Sequence, residues 1–499
     1  MSGLGQLRER LEQASNRWQS LPLDTREEQA IAMEFYSKEV FPLSKQVFIA
    51  TEAPRIKEPI YGLILPVGTS PEPLILSISA IKPERVLFLY TKKTEPMLDT
   101  IVEHTGLRPS QWEKRLVDPA DLTQIYSEIK DAWNRWGKRR GIAVDVTGGT
   151  KAMASGAAMA GTLVGAQLIY IANRKYLPDP YRRPEPGSEY IEFVPNPYDV
   201  FGDLDEKEAM NRFRRHDFAG AALILENLVK KAAYPRRYEA LANLSAAYKA
   251  WDDMNFPEAC ICLRKTIDIV EMLLAHDGTV LGYGLADKIQ PLRVQLEGLE
   301  RVRDLMPSKP GEPPLPVLEA CNATASLIFT IYASAERKAA RGEYDTASLL
   351  LYRLIELMAQ RRLAVYGIDT GDPNYEKTGS FKLDQLKDKM NDRRSKLEWP
   401  AISRLPSPIA LTEGYILLEA LDDPYGLAPA NVHWNRFLNE TGKRNHSILA
   451  HGFIFISRDQ HTQFKQMVDP LLDLFCSVEG IGRSQLHSDH AFIDPWIDI

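Results

Sequence analysis

Residues 443–453 read KRNHSILAHGF. Arg444 and His451 stand seven positions apart, and Asn445 follows the arginine directly. As a helix, seven steps of about 100° bring the two side chains to within about 20° of one face, about 10 Å apart along the axis. From there a long arginine and a histidine converge on one phosphate. Histidine shuttles protons near neutral pH. Arginine stabilises charge growing on a phosphoryl group, and Asn445 offers further hydrogen bonds. The spacing therefore points to phosphodiester chemistry. The plainer alternative, a solvated helix with incidental basic residues, stays open on the residues alone. His446 lies in the same stretch at an offset that does not suit Arg444. The upstream run YDTASLLLYRLIELMAQRR could form a second wall, with Arg353 and Glu356 either a site pair or a surface ion pair.

A second group of residues stands far upstream. GIAVDVTGGTKAMASGAAMAG, from Gly141 to Gly161, reads as a strand, a Gly-rich turn and a small-residue helix. Thr147, Gly148, Gly149, Thr150 and Lys151 fall between strand and helix. The glycines let backbone N–H groups approach a ligand, and a helix N-terminus favours an anion. Lys151 adds charge. The spacing is neither GxxxxGK[ST] nor GxGxxG, and an ordinary tight turn packing Ala and Gly on the sheet is the alternative. LILPVGTSPEPLIL repeats the arrangement, with Gly68, Thr69 and Ser70 between a strand and a helix. Two such loops at one edge of a parallel sheet would face one crevice. Asn173, Arg174 and Lys175, after AQLIYIAN, could close it with positive charge.

The elements needed to position these loops are legible in the pattern. From about 46 to 200, short apolar runs (QVFIA, YGLILPVG, RVLFLYT, GIAVDVTGG, AQLIYIAN, EYIEFV) alternate with helical stretches, which predicts a mainly parallel sheet covered on both faces. Residues 1–45 read as helical. Beyond about 205 the pattern is helical throughout, and Met306–Leu318, MPSKPGEPPLPVL, reads as a linker. RFRRHDFAGAALILENL (212–228) echoes RKAARGEYDTASLLLYRLIE (337–356), as two helices of one type or as members of a repeat. Domains are expected at 1–204, 205–316 and 317–499.

Composition sets outer limits. The chain has 499 residues, 61 Lys+Arg and 67 Asp+Glu, for a formal net charge of -6. This is the balance of an ordinary globular protein, and it argues against a surface that coats nucleic acid everywhere while leaving room for a local basic groove. Cys260, Cys262, Cys321 and Cys476 form no CxxC pair, so no structural zinc site is expected. His216 and His276 stand isolated, and the region from 205 to 305 shows no chemistry. The opening MSGLGQLRERLEQASNRW lacks the apolar core of a signal peptide. Ala152–Ala172 is uncharged but Gly-interrupted, and reads as a buried helix and strand rather than a membrane span. A cytoplasmic location follows as the expectation.

The strand–DVTGGTKAM–helix signature, with GTS after the first core strand, resembles the CRISPR-associated Rossmann fold (CARF) domain over roughly residues 45–200. RNHSILAH resembles the Arg-x(4–6)-His motif of HEPN ribonucleases. Together they resemble the CARF–HEPN ancillary ribonucleases of type III CRISPR antiviral systems. The resemblance implies an α/β Rossmann-like sensor domain, an all-α connector and an all-α HEPN domain. It implies a homodimer activated by a cyclic oligoadenylate of four or six units, held by Gly68, Thr69, Ser70, Thr147, Gly148, Gly149, Thr150 and Lys151. It implies metal-independent cleavage of single-stranded RNA by Arg444, Asn445 and His451, in a site shared between protomers. The 2′-hydroxyl would attack, leaving a 2′,3′-cyclic phosphate and a 5′-hydroxyl. Some relatives slowly cut their own cyclic ligand, and Thr150 and Lys151 would be the residues concerned. A non-enzymatic sensor whose helical domain mediates assembly is the competing reading.

Overall fold

The computed structural model describes residues 3–276, 283–307, 309, 312, 314–378, 382–445, 447–449 and 452–496; the side chains of His276, Tyr283, Lys377, Thr378, Arg444 and Asn445 are not among those described. The chain divides into two compact units, Met1–Val200 and Phe201–Ile499. Among the described residues no helix is long and apolar enough to cross a membrane.

The first unit is built on a six-stranded sheet. Its strands are β1 (Gly62–Pro66), β2 (Arg85–Tyr90), β3 (Trp112–Leu116), β4 (Ile142–Asp145), β5 (Gln167–Asn173) and β8 (Glu189–Val194), while β6 (Tyr176–Leu177) and β7 (Arg183–Pro184) pair separately. The order is β3-β2-β1-β4-β5-β8; the first five are parallel and β8 is antiparallel to β5. The helices that accompany them are α1 (Gly3–Gln19), α2 (Arg26–Phe35), α3 (Phe41–Glu52), α4 (Glu72–Ile81), α5 (Glu95–Thr105), α6 (Leu122–Arg135) and α7 (Lys151–Leu163). Every residue of β1 is buried, because helices cover both faces. Leu63, Leu65, Val86 and Phe88 join one core with α3 and α4, while Ile64, Leu87, Leu89 and Val144 join another with α6 and α7. That alternation is the period-two geometry of a strand with apolar neighbours on each side.

Two sequence expectations fail here. QVFIA lies in α3, not in a strand. Phe41, Ser44, Val47, Phe48 and Glu52 are its buried positions, and that spacing is helical. The unpredicted β3 is WEKRL, an edge strand whose charged residues pair with neighbours, Arg115 with Glu113 at 2.9 Å and Lys114 with Glu95 at 2.8 Å. Polar residues suit an edge and hide it from an apolar search. The uncharged stretch from Ala152 does form a helix and then a strand, α7 and β5.

The second unit is helical: α8 (Pro197–Phe201), which straddles its start, then α9 (Asp203–Arg214), α10 (Phe218–Lys231), α11 (Pro235–Asp252), α12 (Phe256–His276), α13 (Tyr283–Ala286), α14 (Ile289–Leu305), α15 (Leu315–Glu319), α16 (Cys321–Ala340) and α17 (Tyr344–Ala364). Then follow α18 (Leu383–Lys396), α19 (Leu411–Ala420), α20 (Ala428–Asn431), α21 (Trp434–Asn445), α22 (Arg458–Glu479) and α23 (Arg483–Asp489). The proline-rich linker gives way to α15 at Leu315. One buried apolar cluster extends from Ala209 to Trp496. Cys260 and Cys262 are buried in it.

The sequence echo is a shared turn. α9 and α10 are joined by residues 215–217, and α16 and α17 by 341–343. In each the middle residue is left-handed, His216 at φ 60° and Gly342 at φ 80°. In each the last N–H reaches back five residues, Asp217 to Arg212 O at 2.9 Å and Glu343 to Lys338 O at 2.9 Å. A third copy joins α11 to α12, with Met254 at φ 59° and Asn255 N–H on Ala250 O at 2.8 Å. The turns meet. Arg341 donates to His216 O at 3.0 Å, and buried Asp252 accepts from Arg337 at 2.9 Å.

Candidate functional site

At the centre of the sheet, β1 and β4 are neighbours and the chain order reverses between them. A crevice opens outside the strand C-termini at such a point. The loop after β1 carries Gly68, Thr69 and Ser70; the loop after β4 carries Thr147, Gly148, Gly149, Thr150 and Lys151. The two touch, since a Cβ on Gly68 would lie 2.9 Å from the Gly149 backbone nitrogen. A Cβ on Gly148 would lie 2.3 Å from Pro66 O, so a larger residue there must push the β1 backbone aside.

Not every polar group in these loops faces outward. Thr147 Oγ1 accepts the Ile171 N–H at 2.7 Å. Thr150 caps α7, its Oγ1 accepting the Met153 N–H at 3.2 Å and donating to Pro119 O at 3.2 Å. Both hydroxyls hold the loop in shape. The groups left for a ligand are the exposed Thr69, Ser70 and Lys151, and Lys151 forms no ion pair among the described residues. Beneath the loop, Asp145 is fully buried. Its Oδ1 accepts the Thr147 N–H at 2.9 Å, while Oδ2 lacks a well-formed hydrogen bond among the described residues. Burial pushes its pKa up against the contacts from Thr147 and Ser77.

Two cavities open beside these loops. One, of about 800 Å³, is lined by Gly68, Thr69, Gly149 and Thr150 together with Lys92 and Lys93. The other, of about 470 Å³, holds Ser70 and Asn173 with Trp18, Tyr36 and Arg183. Arg183 lies 3.9 Å from the Tyr36 ring centroid and 3.3 Å from Glu72. The positive charge expected from Arg174 and Lys175 is otherwise engaged. Lys175 pairs with Glu185 at 2.7 Å, and Arg174 covers the Tyr190 ring. Lys92 and Lys93 supply it instead, from the turn after β2. The sequence signal for them was the one used for the other loops, a polar run, TKKT, directly after an apolar strand.

In the helical unit the motif does not lie on a single helix. α21 ends at Asn445, and the side chains of Arg444 and Asn445 are not described. His446 and His451 lie outside the described residues. Between them Ser447 forms a parallel bridge with Ile454, Ile448 N–H donates to Ile454 O at 3.0 Å, and Gly452 N–H donates to Ser447 O at 3.1 Å. The helix expected to run from Arg444 through the motif thus stops at Asn445. Ile454 is β-branched, which suits the extended pairing it makes with Ser447. A small cavity of about 150 Å³ sits beside the end of α21, lined by Ser348, Glu440, Lys443, Ile456, Gln460 and Phe464 among others. Asp345 accepts the Ile456 N–H at 3.0 Å, and Ser348 Oγ is 3.0 Å from His461 Nδ1. Burial lowers the His461 pKa. Nothing in the sequence marks these supports, because Asp345, Ser348 and His461 sit among other polar residues at the starts of α17 and α22. Phe453 is 90% exposed and Phe455 72%, so an apolar segment stands in solvent next to the motif. Arg353 and Glu356 are an i,i+3 pair at 3.4 Å on the surface of α17, which fits the surface-pair alternative.

A doubly wound sheet with paired polar loops stands in one chain with this helical unit, and the resemblance to the CARF–HEPN ribonucleases is borne out. Residues 320–474 match the family model described as the Csm6 HEPN domain, and residues 201–288 match the Csm6 6H domain. The CRISPR system endoribonuclease Csm6 of Thermus thermophilus is 27% identical over 394 residues, covering 77% of this chain and 79% of that one. Among solved structures, Enterococcus italicus Csm6 bound to cyclic hexa-2′-fluoro-hexa-dAMP covers 86% of this chain and 97% of its own at 10% identity, with a TM-score of 0.47. Can2 from Sulfobacillus thermosulfidooxidans in complex with cyclic tetra-adenylate covers 41% and 52% at 18% identity, with a TM-score of 0.22.

Proposed function

We propose that this chain is a CRISPR endoribonuclease switched on by a cyclic oligoadenylate. The observation that carries the reading is that residues 320–474, matched to the Csm6 HEPN domain, contain the whole RNHSILAH motif. Residues 1–204 act as the sensor, 205–316 as the connector and 317–499 as the ribonuclease. The ring sits in the crevice, its phosphates near Gly68, Thr69, Ser70, Gly149 and Lys151, with Lys92 and Lys93 adding charge. Thr147 and Thr150 keep the loop in the receiving conformation.

The RNA is single-stranded and is cut without a metal. Arg444 stabilises the phosphorane charge, His451 moves the proton and Asn445 orients the phosphate. The 2′-hydroxyl attacks and the 5′-oxygen leaves, giving a 2′,3′-cyclic phosphate and a 5′-hydroxyl. A second copy of the chain completes the site, and the exposed Phe453 and Phe455 are the apolar groups such a partner would cover. Slow cutting of the ring by the sensor itself has weaker support, because the Thr150 hydroxyl is already committed to the α7 cap.

The test is a fluorescent single-stranded RNA incubated in EDTA with and without cyclic tetra- or hexa-adenylate. Ring-dependent cleavage that His451→Ala lowers by at least about 10²-fold is the expected result. Ring binding without cleavage would leave the non-enzymatic sensor.

A further inference from the structure

The edge of the sheet opposite the crevice is also built for an anion. The register brings Gly62 beside Ile142, Ala143 beside Gln167 and Leu168 beside Val194, so the first residues of β1, β4 and β5 and the last of β8 share that edge. It lies a strand length, about 15 Å, from the Gly68 and Gly149 loops. A cavity of about 930 Å³ opens there. Arg55, Lys57, Lys138, Arg139 and Arg140 line it, against Glu58 and Asp199.

Arg55 is matched by buried Glu52. The other four cations are exposed and form no ion pair among the described residues. Some exposed cations elsewhere on this unit find acids, such as Lys38 and Glu34 at 2.5 Å, Arg135 and Glu113 at 2.8 Å, and Lys175 and Glu185 at 2.7 Å; here four unpaired ones gather around one cavity. A patch of unmatched charge lining a concave surface attracts and holds a polyanion.

Aromatic rings alternate with the cations. Arg139 lies 4.6 Å from the Tyr61 ring centroid, Lys138 5.8 Å from Trp133, and Arg55 5.8 Å from Phe193. Tyr61, Trp133 and Phe193 are each half-buried. The turn that displays three consecutive cations is a built one. Gly137 and Lys138 both take positive φ, 73° and 52°, and Lys138 N–H donates to Trp133 O at 2.9 Å. Cations that follow a backbone, interleaved with rings on which bases stack, are the requirements for a single strand; a duplex offers no free base faces.

We propose that this groove holds single-stranded RNA by its phosphates and bases, separately from the ring crevice and from cleavage. The proposal rests on RNA being the substrate of this chain. The test uses the full-length protein with His451→Ala as the background, so that bound RNA stays intact. Anisotropy of a fluorescent RNA of about fifteen nucleotides, the upper end of the site size of one such groove, is followed over a salt series, with and without Lys138→Ser, Arg139→Ser and Arg140→Ser combined. Three lost phosphate contacts at about 0.7 each predict a salt slope shallower by about 2 and affinity at low salt reduced at least about tenfold. Ring binding and the melting temperature should not move. Should the triple variant melt early, Arg140→Glu alone should still weaken RNA binding at low salt. Unchanged affinity and slope would overturn the groove, as would an equal loss for RNA and for poly-glutamate, which would mark a surface for acidic proteins. Unchanged RNA affinity beside normal ring-dependent cleavage by wild type would remove the groove alone. RNA binding lost as expected, beside a wild type that never cleaves, would remove the ribonuclease alone.

Discussion

Asp145 is a carboxylate held where no water reaches it. One oxygen fixes the Thr147 N–H and so the start of the Gly-rich loop; the other lacks a well-formed hydrogen bond among the described residues. Burial raises its pKa, so the folded chain holds that proton more tightly than the unfolded one. Stability from this group is present at acid pH and is lost as pH rises from the ordinary aspartate range through the folded value. Asp145→Asn keeps the acceptor and drops the charge. It should match wild type in acid and then exceed it by about 1–3 kcal/mol as pH rises, read from denaturant midpoints across a pH series; a gap that narrows with pH would mean an ionised, stabilising Asp145. Lys151 makes a cleaner functional prediction, because it is exposed. Lys151→Ala should weaken ring binding by about tenfold, the value of one charge-assisted hydrogen bond, and leave RNA cleavage at saturating ring unchanged. Calorimetry of ring binding, paired with single-turnover cleavage, separates these. The loop residues themselves were legible in the sequence. What each hydroxyl does was not, because Thr147 is answered by Ile171 and Thr150 by Pro119, 24 and 31 residues away.

Among the elements, α7 and the loop before it work as one part. Its N-cap is Thr150, and Ala157 and Ala160 are fully buried against the sheet. Gly148 is the tightest point, and a methyl there must displace the Pro66 carbonyl of β1. Gly148→Ala should cost about 1–3 kcal/mol through overpacking and should lower ring affinity as well. Thr150→Ala should cost about 1 kcal/mol through the lost cap, whereas Thr150→Ser keeps the oxygen and most of the stability. Thermal melts of the three variants order these effects, and a Gly148→Ala protein as stable as wild type would show that the loop can yield. The elements that sequence reading misplaced share a cause. QVFIA looks like a strand until its buried positions are counted over the whole of α3, and WEKRL looks like a loop because an edge strand needs apolar residues on neither side. The spacing of RNHSILAH suggests one helix, yet the chain leaves helix after Asn445 and Ser447 bridges Ile454. That segment lies within residues 320–474, the span of the HEPN match.

At the scale of the whole molecule, each unit has its own hydrophobic core, two layers on the sheet in the first and one continuous cluster in the second. Separately cored units can each hold a ligand, so a gated ribonuclease needs a coupling free energy between the ring crevice and the RNA site. Coupling is reciprocal. If the ring favours the arrangement that binds RNA, RNA must favour the arrangement that binds the ring, by the same factor. A coupling of about 1–3 kcal/mol corresponds to about 5–150-fold. With a 2′-deoxy RNA that cannot be cut, saturating ring should tighten RNA binding, and saturating RNA should tighten ring binding, by equal ratios within error. The triple Ser variant of Lys138, Arg139 and Arg140 should weaken RNA binding in both ring states and leave that ratio unchanged, because a groove that only holds RNA contributes equally to both. Ratios that differ for wild type would mean a third equilibrium, such as dimer assembly, enters the cycle. Titrating at two protein concentrations then decides, since coupling through assembly changes with concentration and coupling within a preformed dimer does not.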